Sequence, residues 1–457
     1  MLHKYLAGLS LAAILAGQVP PVSAQSIRPP KLEIVQFSLP NGLKVVAIED
    51  NSAPIVNVQV WYKVGSKEEQ VGRTGFAHLF EHLMFKGSKN LGPQEHAQRI
   101  SDVGGVINAG TNFDYTFYWQ TIPSNALDQT LWLEAERMSS LVVDDANLKS
   151  ERDVVIEELR QRIENPPFGK LAQIVFGTAF TTHSYKWLPI GSKADLDAAT
   201  LADVMAFHET YYKPNNATLV VVGDFKASEL KKAVTKHFGP VKRGTGDIPR
   251  PAKPEPPQTE ERRVTNYDSK TPLPAVILAY HSPGAGTPDS FAIEAASRIL
   301  SSGQSSRLYR RLVYEKQIAL QASGSGAFLE DSGLFFFFAI LNGGQKPEDG
   351  EAELAAEIDR LRNELVTDAE LEKAKTQLIA ENTVGQQTVQ QRADALGFAA
   401  TVLGNPELVN EEVARLQAVT AADIQRVAKK YLTKENRSVI YMLPESMRPA
   451  GAEGGAK

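Results

Sequence analysis

Thr200, Ala202, Asp203, Tyr211 and Asn216 recur as Thr420, Ala422, Asp423, Tyr431 and Asn436, each at an offset of 220 residues. In both copies the matched residues run from a helical pattern into an apolar strand, Leu219 to Val222 in the first and Val439 to Met442 in the second. Asp145, Ala146, Leu148 and Glu158 likewise recur as Asp368, Ala369, Leu371 and Glu381, at an offset of 223. The three-residue difference is that of an ordinary loop. Two stretches repeated in the same order point to an internal duplication, so the chain must build one design twice. Between the copies, residues 244–258 crowd Gly, Pro, Lys and Glu together, a composition that continues neither a helix nor a central strand. The expected organisation is therefore a first domain over residues 31–243, an extended linker over 244–262 and a second domain over 263–446.

Within each half, stretches such as Val56 to Val60 and Phe113 to Gln120 alternate apolar and polar residues, as strands do. Leu127 to Val142 repeats at the helical period instead. Strand and helix are mixed without regular βαβ alternation. The predicted fold class is α+β: two homologous domains, each a mostly antiparallel sheet covered by helices.

Composition narrows the function. Hydrophobic residues form 42% of the 457 and charged residues 23%, as in ordinary globular proteins. A net charge of -5 leaves no basic field to attract nucleic acid. At the start, Lys4, an apolar run from Leu6 to Val19, and Val22-Ser23-Ala24 resemble a secretory signal cleaved after Ala24. That run is shorter than the roughly 20 residues of a spanning helix, which favours export over a membrane anchor. A protein free of the membrane, most simply periplasmic, is expected. With no cysteine, any metal site must use His and carboxylate ligands.

The segment Gly75-Phe-Ala-His78-Leu-Phe-Glu81-His82-Leu-Met-Phe-Lys-Gly87 carries the chemistry. On a helix, His78 and His82 lie one turn apart on one face and can point at a single ion. Glu81 lies three residues after His78 on that face, close to an ion yet free to take a proton from water, the layout of the inverted zincin motif H-x-x-E-H. Leu79, Phe80, Leu83, Met84 and Phe85 fill the remaining positions, so the helix is expected to be buried. Two alternatives stand on the motif alone: metal ligands, or core histidines satisfied by neighbours. A catalytic zinc needs three protein ligands and an open position, which sends the search to a third ligand.

Downstream lies Glu151-Arg-Asp-Val-Val-Ile-Glu157-Glu158-Leu-Arg-Gln-Arg, with Glu158 76 residues after His82. Together these segments resemble the insulinase and pitrilysin superfamily of metallopeptidases, in particular its shorter two-domain members related to mitochondrial processing peptidase. The resemblance implies one zinc ion held by His78, His82 and Glu158, with Glu81 activating the attacking water. It selects Glu158 over Glu157, and adjacent helix positions differ by about 100°, so only one of the two can easily face the ion. It further implies that Glu151, two turns before Glu158, steadies a ligand or the water network. The stretch Gly104 to Tyr118 resembles the family's edge strand beside the active site, with Asn108 and Ala109 contacting peptide substrate. A capping Asn in an ordinary turn is the plainer account of Asn108.

The second half holds only His281 and no H-x-x-E-H, so Glu381 reads as a relic of duplication. Ser305 to Leu320 resembles the family region that reaches over substrate; it keeps Arg307, but the family's Tyr falls at Leu320. A Leu cannot hydrogen-bond to a tetrahedral intermediate. The resemblance then implies a heterodimer with a homologous subunit that lacks zinc ligands. A homodimer in which Tyr309 or Tyr314 substitutes is the alternative. The overall expectation is a zinc endopeptidase acting on unfolded peptides; a non-catalytic scaffold and a maturation peptidase for one small peptide are the rival functions.

Overall fold

The computed structural model describes residues 28–449, so the signal segment expected at residues 1–24 lies outside the described residues. Among the described residues no helix is long and apolar enough to cross a membrane.

Two sheets organise the chain. The first contains β1 (Ile34–Ser38), β2 (Lys44–Glu49), β3 (Ile55–Tyr62), β4 (Val106–Thr111), β5 (Thr116–Pro123) and β6 (Ala217–Gly223), in the spatial order β1-β2-β6-β3-β5-β4. The second contains β7 (Arg262–Asp268), β8 (Ala275–Ser282), β9 (Ala319–Ala327), β10 (Gly333–Leu341) and β11 (Arg437–Pro444), in the order β7-β11-β8-β10-β9. Only β2 with β6 and β7 with β11 run parallel; the other pairs are antiparallel. Five strands of the first sheet thus match the five of the second in order and direction, and the α+β duplication is realised as two sheets of one topology. The strand expected at Phe113 to Gln120 is shorter at its start, because residues 112–115 form the turn of the β4–β5 hairpin.

The repeated residues are the punctuation of this design. Thr200 and Thr420 cap the helices Leu201–Tyr211 and Ala421–Tyr431, each in a reciprocal capping box with Asp203 or Asp423. After each helix an Asn amide ties the helix end to the end of the strand, β3 or β8, that pairs antiparallel with the one about to follow. Asn216 donates to the carbonyls of Tyr211 and Lys63, and Asn436 to those of Tyr431 and His281. Buried backbone carbonyls need such partners, which explains why these positions recur in both halves.

Each half also covers a face of the other half's sheet. The helix Val389–Thr401, from the second half, packs across the first sheet through Val389, Ala393, Leu396 and Ala399 against Trp61, Val220 and Val222. In return the helix Leu171–Ala179, from the first half, places Val175 and Phe176 against Ile277, Leu334 and Ile440 of the second sheet. At the first interface Gly397 lies so close to Trp61 that an added Cβ would sit 2.3 Å from the indole ring. The outward polar residues of β3 are sealed under the same helix: Asn57 and Gln59 are fully buried, and Gln59 donates to Asp394 at 2.7 Å.

The segment joining the halves has no regular structure over residues 240–258, yet it is pinned on both sides. Arg250 donates to Asn216 Oδ1 at 2.6 Å, the Glu255 carboxylate accepts the backbone amides of Thr181, Thr182 and His183, and Gln258 donates to the Arg437 carbonyl. Nearby, buried Lys67 of the first half reaches Glu330 at 2.5 Å and Asp331 at 3.3 Å in the second. The hydrogen bond from His183 outweighs burial and, with Lys67, holds the Asp331 carboxyl down at about 2. A depressed carboxyl stabilises the fold fully above its unfolded value of about 3.9 and loses that contribution as pH falls towards 2. Asp331→Asn should therefore lower the melting temperature at pH 6 and leave it nearly unchanged at pH 2, in thermal melts followed by circular dichroism.

Candidate metal centre

The helix Phe76–Leu83 begins where Gly75 takes a left-handed φ of 87°. The Glu69 carboxylate, itself fully buried, accepts the Gly75 and Ala77 amides at 3.0 and 2.8 Å and so satisfies the free end of the first turn. Leu79, Phe80, Leu83 and Met84 are buried in the first half's core, as the apolar spacing predicts. This rigid seating turns His78, Glu81 and His82 towards a cleft of about 580 Å³ between the helix, the edge strand β4 and the helix Asp145–Leu159.

Across the cleft, Glu158 Oε2 lies 3.7 Å from His78 Nε2 and 3.5 Å from His82 Nε2. All three donor atoms fall within 4.8 Å of one another, and this is the group of His and carboxylate side chains suited to a cation among the described residues. Zinc bonds of about 2.0–2.1 Å in tetrahedral geometry set donors about 3.4 Å apart, so the Glu158–histidine separations need only a few tenths of an ångström of closure and the widest separation in the set at most about 1.4 Å, within reach of side-chain rotation. The set of two imidazoles and one carboxylate is that of a catalytic rather than a structural zinc site, and the residues fit the ion. Glu157 points outward instead, taken up by Arg160 and Gln161.

The neighbouring groups set the state of each ligand. Glu151 Oε2 lies 3.2 Å from His82 Nδ1, and its other oxygen is 2.6 Å from Lys86 Nζ. A proton on Nδ1 shared with that carboxylate leaves the His82 Nε2 lone pair free to face the cleft. Burial opposes charge on His82, but the hydrogen bonds to Glu151 and Glu158 prevail and raise it to about 9 in the absence of a cation. Burial, reinforced by the neighbouring His82, lowers His78 to about 4. Two imidazoles one turn apart thus resist being charged together. Glu81 stands outside the donor triangle: the Thr111 hydroxyl donates to its Oε2 at 2.6 Å, and burial raises the carboxyl against that hydrogen bond.

On the cleft's far wall, β4 among the described residues pairs only with β5 and ends its sheet, its other edge taking no strand partner there. Asn108 and Ala109 lie on this strand and line the cleft, with the Asn108 amide oxygen accepting the Ala109 amide at 2.9 Å. Arg307 is elsewhere. It is buried in the second half, where its guanidinium clasps both oxygens of Glu370 at 2.7 and 2.9 Å, and it does not line the cleft. Leu320 is exposed on β9, and Tyr314 is exposed in the turn before it.

In the second half, Glu381, the counterpart of Glu158, is bound by Arg298 of the helix Pro288–Ser301. A guanidinium there engages the carboxylate whose counterpart in the first half meets the two histidines. Thr111, Lys86 and Arg162 are the cleft-side residues that sequence reading did not single out. Lys86 and Arg162 follow His82 and Glu158 by four residues, a spacing that could have marked them. Thr111 reaches Glu81 only through the sheet and had no such signal.

Comparison with known proteins gives concordant results. The family described as "Insulinase (Peptidase family M16)" matches residues 44–184, and that described as "Peptidase M16 inactive domain" matches residues 198–378. The chain is 35% identical to a zinc protease PqqE of Helicobacter pylori, over 96% of this chain and 99% of that one. It is 25% identical to a mitochondrial-processing peptidase subunit beta of Arabidopsis thaliana, over 86% of this chain and 75% of the other. A crystal structure of a protease from Helicobacter pylori superposes with a TM-score of 0.87 at 34% identity, covering 91% of this chain and 100% of that chain.

Proposed function

The chain belongs to the insulinase family of peptidases, family M16, and on that premise we propose that it is a zinc-dependent endopeptidase that hydrolyses unfolded peptides or small polypeptides outside the cytoplasm. The observation that carries this reading is the meeting of His78, His82 and Glu158 from two distant segments, with the Glu81 carboxylate beside them and outside the ligand set. A scaffold has no use for three ligands plus a base.

Each side chain then has a task. His78, His82 and Glu158 would hold the zinc ion, which would supply Lewis acidity towards the scissile carbonyl and water. Glu81 accepts the proton of the attacking water and passes it to the leaving amine. Thr111 fixes the Glu81 carboxylate, while Glu151, held by Lys86, keeps His82 in the tautomer whose Nε2 can ligate. The free edge of β4 pairs with an extended peptide backbone, so recognition at Asn108 and Ala109 makes little demand on sequence.

Because Arg307 is engaged by Glu370 and Leu320 carries no polar group, the second half does not supply the Arg and Tyr that the family resemblance implies for this site. This supports assembly with a homologous subunit that lacks zinc ligands, or with a second copy in which Tyr309 or Tyr314 substitutes. Light scattering, with activity measured before and after adding such a homologue, separates the two.

The test of the catalytic reading is digestion of a denatured polypeptide by the metal-loaded protein, with fragments identified by mass. Chelator should abolish cleavage and added zinc restore it. His78→Ala and Glu158→Ala should each reduce bound zinc well below one per chain by elemental analysis. Cleavage that persists in a zinc-free sample would remove the proposal.

A further inference from the structure

Arg162 lies in a π-helical turn, Arg160–Glu164, that continues the helix carrying Glu158. Such turns are frequent at functional sites. Its guanidinium Nη1 is 2.6 Å from Glu158 Oε1, whereas Glu158 Oε2 is the oxygen facing both histidines. The two oxygens of one carboxylate are thereby divided between two tasks. Among the described residues lining the cleft Arg162 is also the one Arg or Lys, and most of its side chain is exposed, so it is not needed to fill the core.

We propose that Arg162 is a positioning residue that makes Glu158 a one-oxygen ligand. The inference rests on the zinc reading above. A free carboxylate can offer a cation both oxygens, and a second bond from Glu158 would take up the position that a catalytic site keeps open for water and substrate. A charge-assisted hydrogen bond from a guanidinium is stronger than one between neutral groups and holds its acceptor in a fixed direction. With Oε1 engaged by Arg162, Oε2 alone is left to the ion. The same device operates on the other side of the site, where Lys86 takes one oxygen of Glu151 and leaves the second to His82. Glu151 and Glu158 therefore each have one oxygen occupied by a cationic side chain.

Cobalt(II) substituted for zinc reports this directly, since its visible absorption is intense in four-coordinate sites and weak in five- or six-coordinate ones. Arg162→Met removes every donor at roughly constant length, and Arg162→Lys restores a cation. The expected result is a cobalt-loaded parent with an intense four-coordinate spectrum, a clear loss of intensity in Arg162→Met and recovery in Arg162→Lys. In the zinc forms kcat should fall about tenfold in Arg162→Met with KM little changed, in line with the usual effect of altering a group that orients a metal ligand. An unchanged cobalt spectrum in Arg162→Met overturns the proposal, and a rise in KM alone would make Arg162 a substrate contact instead. A parent that takes up neither cobalt nor zinc defeats the zinc reading itself, an outcome distinct from either. Thermal melts of both variants check that the fold is retained.

Discussion

Glu81→Gln should retain one zinc per chain and lose between about a hundredfold and ten-thousandfold in kcat, the range that a positioned proton acceptor contributes. The amide has the size and hydrogen-bonding reach of the carboxylate, so Thr111 can still hold it, and the helix Phe76–Leu83 keeps its packing. What disappears is the ability to accept a proton. The proposed ligands His78, His82 and Glu158 do not depend on Glu81 for their placement, because Glu151 holds His82 and Arg162 holds Glu158. Zinc content and turnover should therefore separate in this variant, whereas they fall together in His78→Ala. Near-normal turnover with zinc bound would show that another group carries the proton.

The second large effect concerns the clasp between the halves. Gly397→Leu places a branched side chain where the Trp61 ring already stands, 2.3 Å from the position of the first added carbon. Overpacking of a well-filled core costs about 1–3 kcal/mol, more where nothing can give way. Here little can yield: Trp61 is buried, stacks on Phe117 at a ring separation of 4.7 Å and donates its indole N–H to Gln59 at 2.6 Å. Either the helix Val389–Thr401 lifts from the sheet or the indole is expelled, and the melting temperature should fall by several degrees in both cases. Trp61→Ala alone is also destabilising, since it leaves a cavity. Combined with Gly397→Leu it should cost less than the sum of the two, because each change relieves the other. Strict additivity in thermal melts would mean that the two residues do not meet. By the same reasoning, residues 28–243 expressed alone should be recovered as an insoluble or molten species, with the apolar residues of β6 and Trp61 uncovered.

The sequence disclosed the site more readily than the packing around it. The His78, Glu81 and His82 spacing is local, so helical geometry alone places those groups together, whereas the choice of Glu158 over Glu157 came from the family resemblance, helix geometry saying only that one of the two could easily face the ion. The duplication was legible because Thr200, Asp203 and Asn216 perform backbone tasks that tolerate few residue types. The exchange of helices was not read. The alternation Val56-Asn-Val-Gln-Val60 describes a strand with one wet face, yet Asn57 and Gln59 are fully buried beneath a helix more than 300 residues later in the chain. Two signals pointed the other way. Leu219 to Val222 and Leu334 to Leu341 are continuous apolar runs, the mark of strands covered on both faces. What covers them depends on pairings between distant segments that periodicity does not encode. The segment at 244–258 was equally ambiguous: its composition excludes helix and strand but does not foretell that Arg250 and Glu255 fasten it to the protein.

The crossed-over helices also impose an order on biosynthesis. The first sheet is complete in sequence at Gly223, but its lid is encoded at residues 389–401. At the usual 5–20 residues per second the interval is on the order of ten seconds, far longer than hydrophobic collapse. Throughout that interval a nascent chain carries a half-finished nucleus with a sticky flank, as well as a helix, Leu171–Ala179, whose own seat has yet to be synthesised. Holding chaperones would be needed at this stage, and premature termination anywhere between the two points should yield fragments destined for proteolysis rather than a functioning smaller enzyme.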